Sequence, residues 1–397
     1  MTTRLAAFNV ENLFARAKAL DPADPAGGAA LRAFDDFNRV AAQPVYDDAD
    51  RTAMLDALEA LRVLVRVGGA LRPNPDPFGD AWALLRENRG DFLVAPADAE
   101  PRIVATGRGD WLGWVELITE PVDELATRMT ARVIGDVAAD VLCVVEAEDR
   151  PSLVRFDVEL LGRRYAHRML VDGNDPRGID VGLYATSAVD LLWVRSNVDV
   201  PDPATADGRP LFSRDCPVHH LRLPGGTELY LLLNHLKSQS FSSGDPDPLR
   251  SRQSAAVRDI YLALRAEGAE FVAVLGDLNK GPAADGSHPT LEPLFDPATG
   301  LVDAYGLATF SQLHDPRDVQ RERPGTFQSC TLRNRLDYLL LSPELAARVT
   351  DGGVFRRGLW GPPGNVNPPR LWSVYPEITG ARHAASDHAA VWLDLDL

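Results

Sequence analysis

The stretch FVAVLGDLN, residues 271–279, is an apolar run that stops at Gly276 and hands an acid and an amide to the loop beyond it. Phe271–Leu275, a short apolar run, reads as a core strand that delivers its acid to a loop. Gly276 permits a tight bend, and Asp277 and Asn279 share one side of an extended backbone because side chains alternate along it. The same plan recurs at VLCVVE (141–146), where Glu146 ends a buried run. FNVENL (8–13), NHLKS (234–238), RLDYLLLS (335–342) and SDHAAV (386–391) likewise set polar residues at strand boundaries. Acids, amides and histidines delivered this way are expected to converge at one sheet edge, a pattern that metal-assisted phosphoester hydrolysis requires.

Outward from these segments the chain alternates strands with helices. Leu5–Val10 is an early strand, and Val122–Ala139 carries apolar residues at helical spacing before the Val141–Val145 strand. Arg164–Leu170, Ile179–Tyr184 and Val189–Val194 read as strands. Val218–Leu223 and Leu229–Leu233 flank a hairpin turn at Pro224–Thr227. A helix is expected over Pro248–Glu267, and the last strands over Leu336–Leu341 and Ala389–Leu395. Two packed, mostly antiparallel sheets covered by helices fit this pattern, an α/β protein of the α+β type in four layers. Residues 21–117 are expected to form a mostly helical insertion, with a helix over Thr52–Val67. Residues 356–383, rich in Gly, Pro and Trp (Trp360, Trp372, Tyr375), form a long loop beside a motif, a common place for specificity.

Composition bounds the function. With 397 residues, 45% hydrophobic and 25% charged, the chain has the make-up of an ordinary globular protein with a sizeable core. MTTRLAAFNV lacks the pattern of a secretory signal and no apolar run approaches a membrane span, so a cytoplasmic protein is expected. Cys143, Cys216 and Cys330 are odd in number and far apart, which supports neither a disulfide framework nor a zinc cluster. A formal charge of −16 opposes tight non-specific binding to nucleic acid, which draws on cationic phosphate contacts.

The chemistry follows from the residue types. Mg²⁺, with Mn²⁺ as an alternative, prefers oxygen ligands and takes few from protein; Asn9 and Glu146 supply two. Glu11 offers a second or shared position, against a competing reading as a solvated loop acid, and Glu148 ranks below Glu146. Asp277 is expected to hold the attacking water while the neutral amide of Asn279 donates to a phosphoryl oxygen. His388, fixed by the buried carboxylate of Asp337, is expected to face the non-bridging oxygens. Asp180 is a candidate partner for His235, or else a strand-edge acid. Asn234, Arg177, Lys237, Arg333 and Arg335 are candidate phosphate contacts or surface charges.

Taken together, FNVENL, the VVE strand end, NHLKS, GDLN, RLDYLLLS and SDHAAV resemble the endonuclease/exonuclease/phosphatase superfamily, the DNase I-like fold. The resemblance covers residues 4–14 and about 120–397. It implies Asn9 and Glu146 at the metal, Asp387 on the metal side, Asp277 and Asn279 at nucleophile and phosphate, and His388 backed by Asp337. His235 matches the position where nuclease members carry a second histidine. The usual glutamine before the metal glutamate is Val145 here. The expected activity is a Mg²⁺-dependent phosphodiesterase of nuclease type. The alternatives are a hydrolase of a small phosphorylated metabolite or lipid headgroup, and, in a different class, a non-catalytic scaffold.

Overall fold

Side-chain alternation builds the layers. In the strand Val141–Ala147, Val141, Cys143 and Val145 face one core while Leu142 and Val144 face another. The strand Thr2–Leu13 does the same with Leu5 and Ala7 against Ala6, Phe8 and Val10. The structure is a computed structural model that describes residues 2–13, 16–20, 26–77, 79–90, 92–120, 124–175, 178–239, 244–311, 324–361 and 372–397. The chain divides into two compact units, one of Met1–Phe14 with Asp123–Leu397 and one of Ala15–Val122.

The first unit holds two large sheets. One has seven strands in the order His167–Leu170, Asp180–Ala185, Val141–Ala147, Thr2–Leu13, Ala390–Asp396, Val349–Phe355, Phe310–Ser311. The other has six, in the order Asp190–Arg195, Val218–Arg222, Glu228–His235, Val272–Asp277, Asp337–Leu341, Val302–Asp303. At the heart of each lies one parallel pair, Thr2–Leu13 with Val141–Ala147 and Glu228–His235 with Val272–Asp277, and the long strands flanking each pair run antiparallel. Central strands buried on both faces are apolar throughout for that reason.

Between the sheets pack Leu5, Val145, Leu183, Leu231, Leu275, Leu339 and Leu393. Met129, Val133 and Val137 of the helix Glu124–Val137 and Phe156 of the helix Arg150–Glu159 cover the outer face of the first sheet. Val257, Tyr261 and Leu264 of the helix Asp247–Ala266 cover the second. The expected four-layer architecture is therefore present. The helix Arg150–Glu159 was not anticipated; Asp149 caps it, its side chain accepting the Ser152 N–H at 2.6 Å. Of the expected strand over 164–170 only His167–Leu170 forms.

The second unit corrects the expectation of a mostly helical insertion. It has its own core around Phe37, Met54, Leu58, Phe92 and Trp111. Among the described residues it contains the helices Gly27–Ala41 and Asp48–Ala60 and several short strands paired in twos. The expected helix over Thr52–Val67 stops at Ala60, because Arg62 turns left-handed (φ 58°). Leu64–Val67 then enters a hairpin with Ala70–Pro73 through Gly68 and Gly69, both at positive φ. Two consecutive glycines supply left-handed conformations that a helix cannot use.

Candidate functional site

The core-facing columns of the second sheet end in polar residues. Leu229, Leu231 and Leu233 lead to His235, Ala273 and Leu275 lead to Asp277, and Leu341 and Leu339 lead to Asp337. Strand pairing sets these three ends side by side, His235 against Asp277 and Asp277 against Asp337. They are 3%, 1% and 0% exposed, so the site caps the inter-sheet core rather than lying on the surface.

The first sheet supplies the facing half. Asn9 continues the column of Leu5 and Ala7, and its Nδ2 donates to Asp277 Oδ2 at 3.1 Å. Regular alternation would put Glu146 with Leu142 and Val144, under the helices. Instead the strand is irregular between Val145 and Ala147, and Glu146 adopts φ 66°. This bulge re-aims the carboxylate, whose Oε1 lies 3.6 Å from His235 Nε2, while Ala147 returns to the helix-side core. Glu11 sits on a second irregularity with φ 50°, and its Oε2 accepts the Asp387 N–H at 2.8 Å. Asn279 is the third left-handed residue here, at φ 55°; its N–H donates to Asp277 Oδ1 at 2.8 Å and its Nδ2 to the Leu236 carbonyl at 3.1 Å. Non-glycine residues in this region cluster where surrounding structure holds them, often at functional sites.

His388 completes the set. Its Nδ1 lies 2.8 Å from Asp337 Oδ2, and its Nε2 is 3.8 Å from Asp277 Oδ2 and 3.9 Å from Asp387 Oδ1. His235 Nε2 faces the same Asp277 Oδ2 at 3.8 Å. Burial alone opposes a charge on His388, but the carboxylates of Asp337 and Asp277 outweigh it and hold the imidazole protonated well above its ordinary range. Burial, then like charges, pushes the acids the other way. Glu11 and Asp277 are each raised to about 7, and Glu146 and Asp387 are also raised.

Residues that sequence reasoning did not single out hold the frame. Thr326 Oγ1 accepts the N–H groups of Leu336 and Asp337, each at 3.2 Å. Ser386 Oγ donates to the Asn9 carbonyl at 2.7 Å and accepts the His388 N–H at 2.9 Å, tying two motifs together. Gln253 Oε1 accepts the Lys237 N–H at 2.8 Å, and Arg250 Nε donates to the Lys237 carbonyl at 2.9 Å, which fixes the loop leaving His235. Arg250, Val257 and Leu264 recur every seven residues on one helix face; that polar member of an apolar stripe was the available signal. Arg214, buried in an ion pair with Asp175 at 2.9 Å, lowers the Glu146 carboxyl in opposition to its burial.

Other candidates lie elsewhere. Asn234 belongs to the opposite face from His235, beside Leu232, whose carbonyl accepts its Nδ2 at 2.9 Å; it is wholly buried and not a phosphate contact. Asp180 accepts the Gly173 N–H at 2.8 Å, its pKa raised by burial to about 6; the carboxylates facing His235 Nε2 are those of Glu146 and Asp277. Arg335 is buried on Asp303 at 3.0 Å and stacked on Tyr305 and Tyr338, a structural cation, and Arg333 is exposed. Lys237 is half-buried on its anchored loop, and Arg177 lies outside the described residues. In the 356–383 loop, Trp372 and Tyr375 are buried anchors, donating to the Leu359 carbonyl at 2.8 Å and to Asp136 at 2.7 Å; residues 362–371 lie outside the described residues.

The oxygen donors of Asn9, Glu11, Glu146 and Asp387 suit a hard divalent cation. Carboxylates that burial and mutual repulsion push toward their neutral forms fit that assignment, since a cation relieves both. Asp277, Asp337 and His388 also hold ligand atoms within 4.8 Å of one another, but the Asp337 contact engages His388 Nδ1. No helix among the described residues is long and apolar enough to cross a membrane.

The sequence profile of the Endonuclease/Exonuclease/phosphatase family matches residues 123–388. No curated protein matches the chain. Similar solved structures include an endonuclease/exonuclease/phosphatase family protein of Bacteroides thetaiotaomicron, 17% identical over 69% of this chain and 90% of that one, with a TM-score of 0.48. A mannosyl-6-phosphatase of the same organism is 18% identical over 69% and 92%, TM-score 0.48. The human Nocturnin catalytic domain is 18% identical over 69% and 87%, TM-score 0.46.

Proposed function

Because the chain belongs to the endonuclease/exonuclease/phosphatase family of phosphoester hydrolases, we propose that it hydrolyses its phosphoester with a divalent cation, Mg²⁺ or Mn²⁺, at the edge shared by the two sheets. The observation that carries this reading is the pairing of His388 with buried Asp337 at 2.8 Å, opposite Asp277 and Glu146. Glu146, Asp387, Glu11 and the side-chain amide oxygen of Asn9 are the groups to hold the cation. When bound, it supplies positive charge to the phosphoryl and leaving oxygens.

The remaining work falls to side chains. Asp277, raised to about 7, is matched to taking a proton from water near neutrality. The backbone N–H of Asn279 on Oδ1 and the Asn9 amide on Oδ2 fix its carboxylate plane. The second amide hydrogen of Asn279 donates to a phosphoryl oxygen. His388, kept cationic by Asp337, donates from Nε2 to a non-bridging oxygen where charge builds. His235, 3.6 Å from Glu146 and 3.8 Å from Asp277, orients the two carboxylates.

A nuclease-type phosphodiesterase remains one form of this reading. A small phosphorylated substrate is favoured by the formal charge of −16, which opposes the cationic phosphate contacts that an extended polyanion draws on. The test is hydrolysis of an aryl phosphodiester and an aryl phosphomonoester with Mg²⁺, Mn²⁺ or EDTA, in wild type, Asp277→Ala and His388→Ala. Metal-dependent release that falls on the order of 10²-fold in each variant supports the assignment. Release that ignores either the metal or both substitutions refutes it.

A further inference from the structure

Beside the site lies a cavity of about 480 Å³, within the roughly 300–1,000 Å³ typical of small-molecule sites. Its lining holds the acids Glu11 and Asp387, the polar side chains of Gln328, Ser329 and Ser386, and the apolar surface of Trp360, Ala381 and Ala384. The Gln328 turn is anchored to the catalytic loop, its N–H donating to the Asp387 carbonyl at 2.8 Å, and is held at φ 44°. The polar wall is thus fixed relative to the acids. Trp360 comes from the Gly- and Trp-rich loop whose other described aromatics, Trp372 and Tyr375, are buried anchors.

We infer that this cavity is the subsite for the alcohol side of the phosphoester, and that it takes a single uncharged, hydroxylated ring: a sugar monophosphate or the ribose of a mononucleotide. The phosphate lies beside Glu11 and Asp387, where the cation site is proposed. The carbon face of the ring rests on the Trp360 indole, and ring hydroxyls meet the Gln328 amide and the Ser329 hydroxyl. A flat aromatic wall with a few fixed polar groups is how small-molecule pockets combine affinity with orientation. A cavity of this size holds one ring rather than a run of nucleotides, which separates this substrate from a polynucleotide.

The inference rests on the hydrolase reading, and the experiment separates the two. With Mg²⁺ present, kcat and KM are measured for glucose 6-phosphate, AMP, glycerol phosphate and a 5′-phosphorylated oligonucleotide, and calorimetry follows binding of the two ring esters to Asp277→Ala. One ring ester is expected to exceed glycerol phosphate and the oligonucleotide in kcat/KM by about ten-fold or more, a difference set by one stacked face. Trp360→Ala should raise its KM by a similar factor and leave kcat nearly constant, and Trp360→Phe should restore most of the loss. Preference for AMP over glucose 6-phosphate would identify the ribose as the source of the ring, and the reverse preference a free sugar. Hydrolysis of aryl esters with no ring preference, or a KM for ring esters that ignores Trp360→Ala, would overturn the subsite and leave the hydrolase. Saturable, Trp360-dependent binding of a ring ester with no hydrolysis of any ester would keep the subsite and overturn the hydrolase.

Discussion

Gly276 is the position at which the smallest substitution should do the most damage. It pairs with Asn234 across the parallel strands and sits at φ 119°, and a Cβ built there would lie 2.2 Å from the Asn234 carbonyl oxygen. Gly276→Ala therefore adds a sparsely populated backbone conformation, about 1–3 kcal/mol, to an overpacking term of about 1–3 kcal/mol. A loss of roughly 4 kcal/mol in stability is expected. Relief of the contact requires the two strands to part by the better part of an ångström, and the next residue is Asp277, hydrogen-bonded to Asn9 at 3.1 Å. A misplacement of about 1 Å at a reacting group costs on the order of 10²-fold in rate. The assay is a urea midpoint together with aryl-ester turnover, measured well below the transition. A midpoint within error of wild type, or a kcat within about two-fold of it, would refute the claim that this close backbone approach positions Asp277.

Thr326→Val removes the oxygen that accepts two buried N–H groups, of Leu336 and Asp337, and should cost about 2–4 kcal/mol with reduced turnover; a stability change under about 0.5 kcal/mol would show that those groups find other partners. Mg²⁺ at 100 times its dissociation constant should stabilise wild type by about 2.7 kcal/mol and Glu146→Ala far less, so an equal shift in both by thermal denaturation would remove Glu146 from the cation site. His219, 1% exposed, has its pKa lowered by burial to about 4, against about 6.5 when unfolded. The unfolded chain takes up a proton that the fold refuses, so stability is unaffected above about pH 6.5 and falls by roughly 3 kcal/mol toward pH 4. His219→Leu should flatten that slope in denaturant titrations at several pH values, and an unchanged slope would acquit His219.

Period-two alternation made much of this legible from the sequence. His235, Asp277 and Asp337 each continue a column of core residues, so reading the apolar runs was enough to bring them together. Glu146 was identified from its place at a strand end, yet alternation points it under the helices; its placement depends on a bulge that no side-chain pattern announces. Asn234 failed for the converse reason, since its neighbour His235 took the site-facing position and left it the other face. Thr326, Ser386 and Arg214 escaped because their partners are distant in sequence and their residue types are common in loops. In the second unit, the helical pattern of 52–60 was extended over Leu64–Val67 although Gly68-Gly69 marked a hairpin. Local turn chemistry there outweighed a periodicity that short apolar runs share with strands.

The split of the site between two sheets ties catalysis to the packing that also holds the fold together. Asn9, Glu11 and Glu146 lie on strands of one sheet, with Asp387 and His388 just before its strand Ala390–Asp396. His235, Asp277 and Asp337 lie on the other, with Asn279 just past Val272–Asp277. Core packing by residues such as Val145, Leu231 and Leu339, together with the Asn9–Asp277 and His388–Asp337 hydrogen bonds, sets the gap. Turnover is in effect a gauge of that gap. Volume changes deep in the sandwich, remote from any reacting atom, will register in rate as well as in melting.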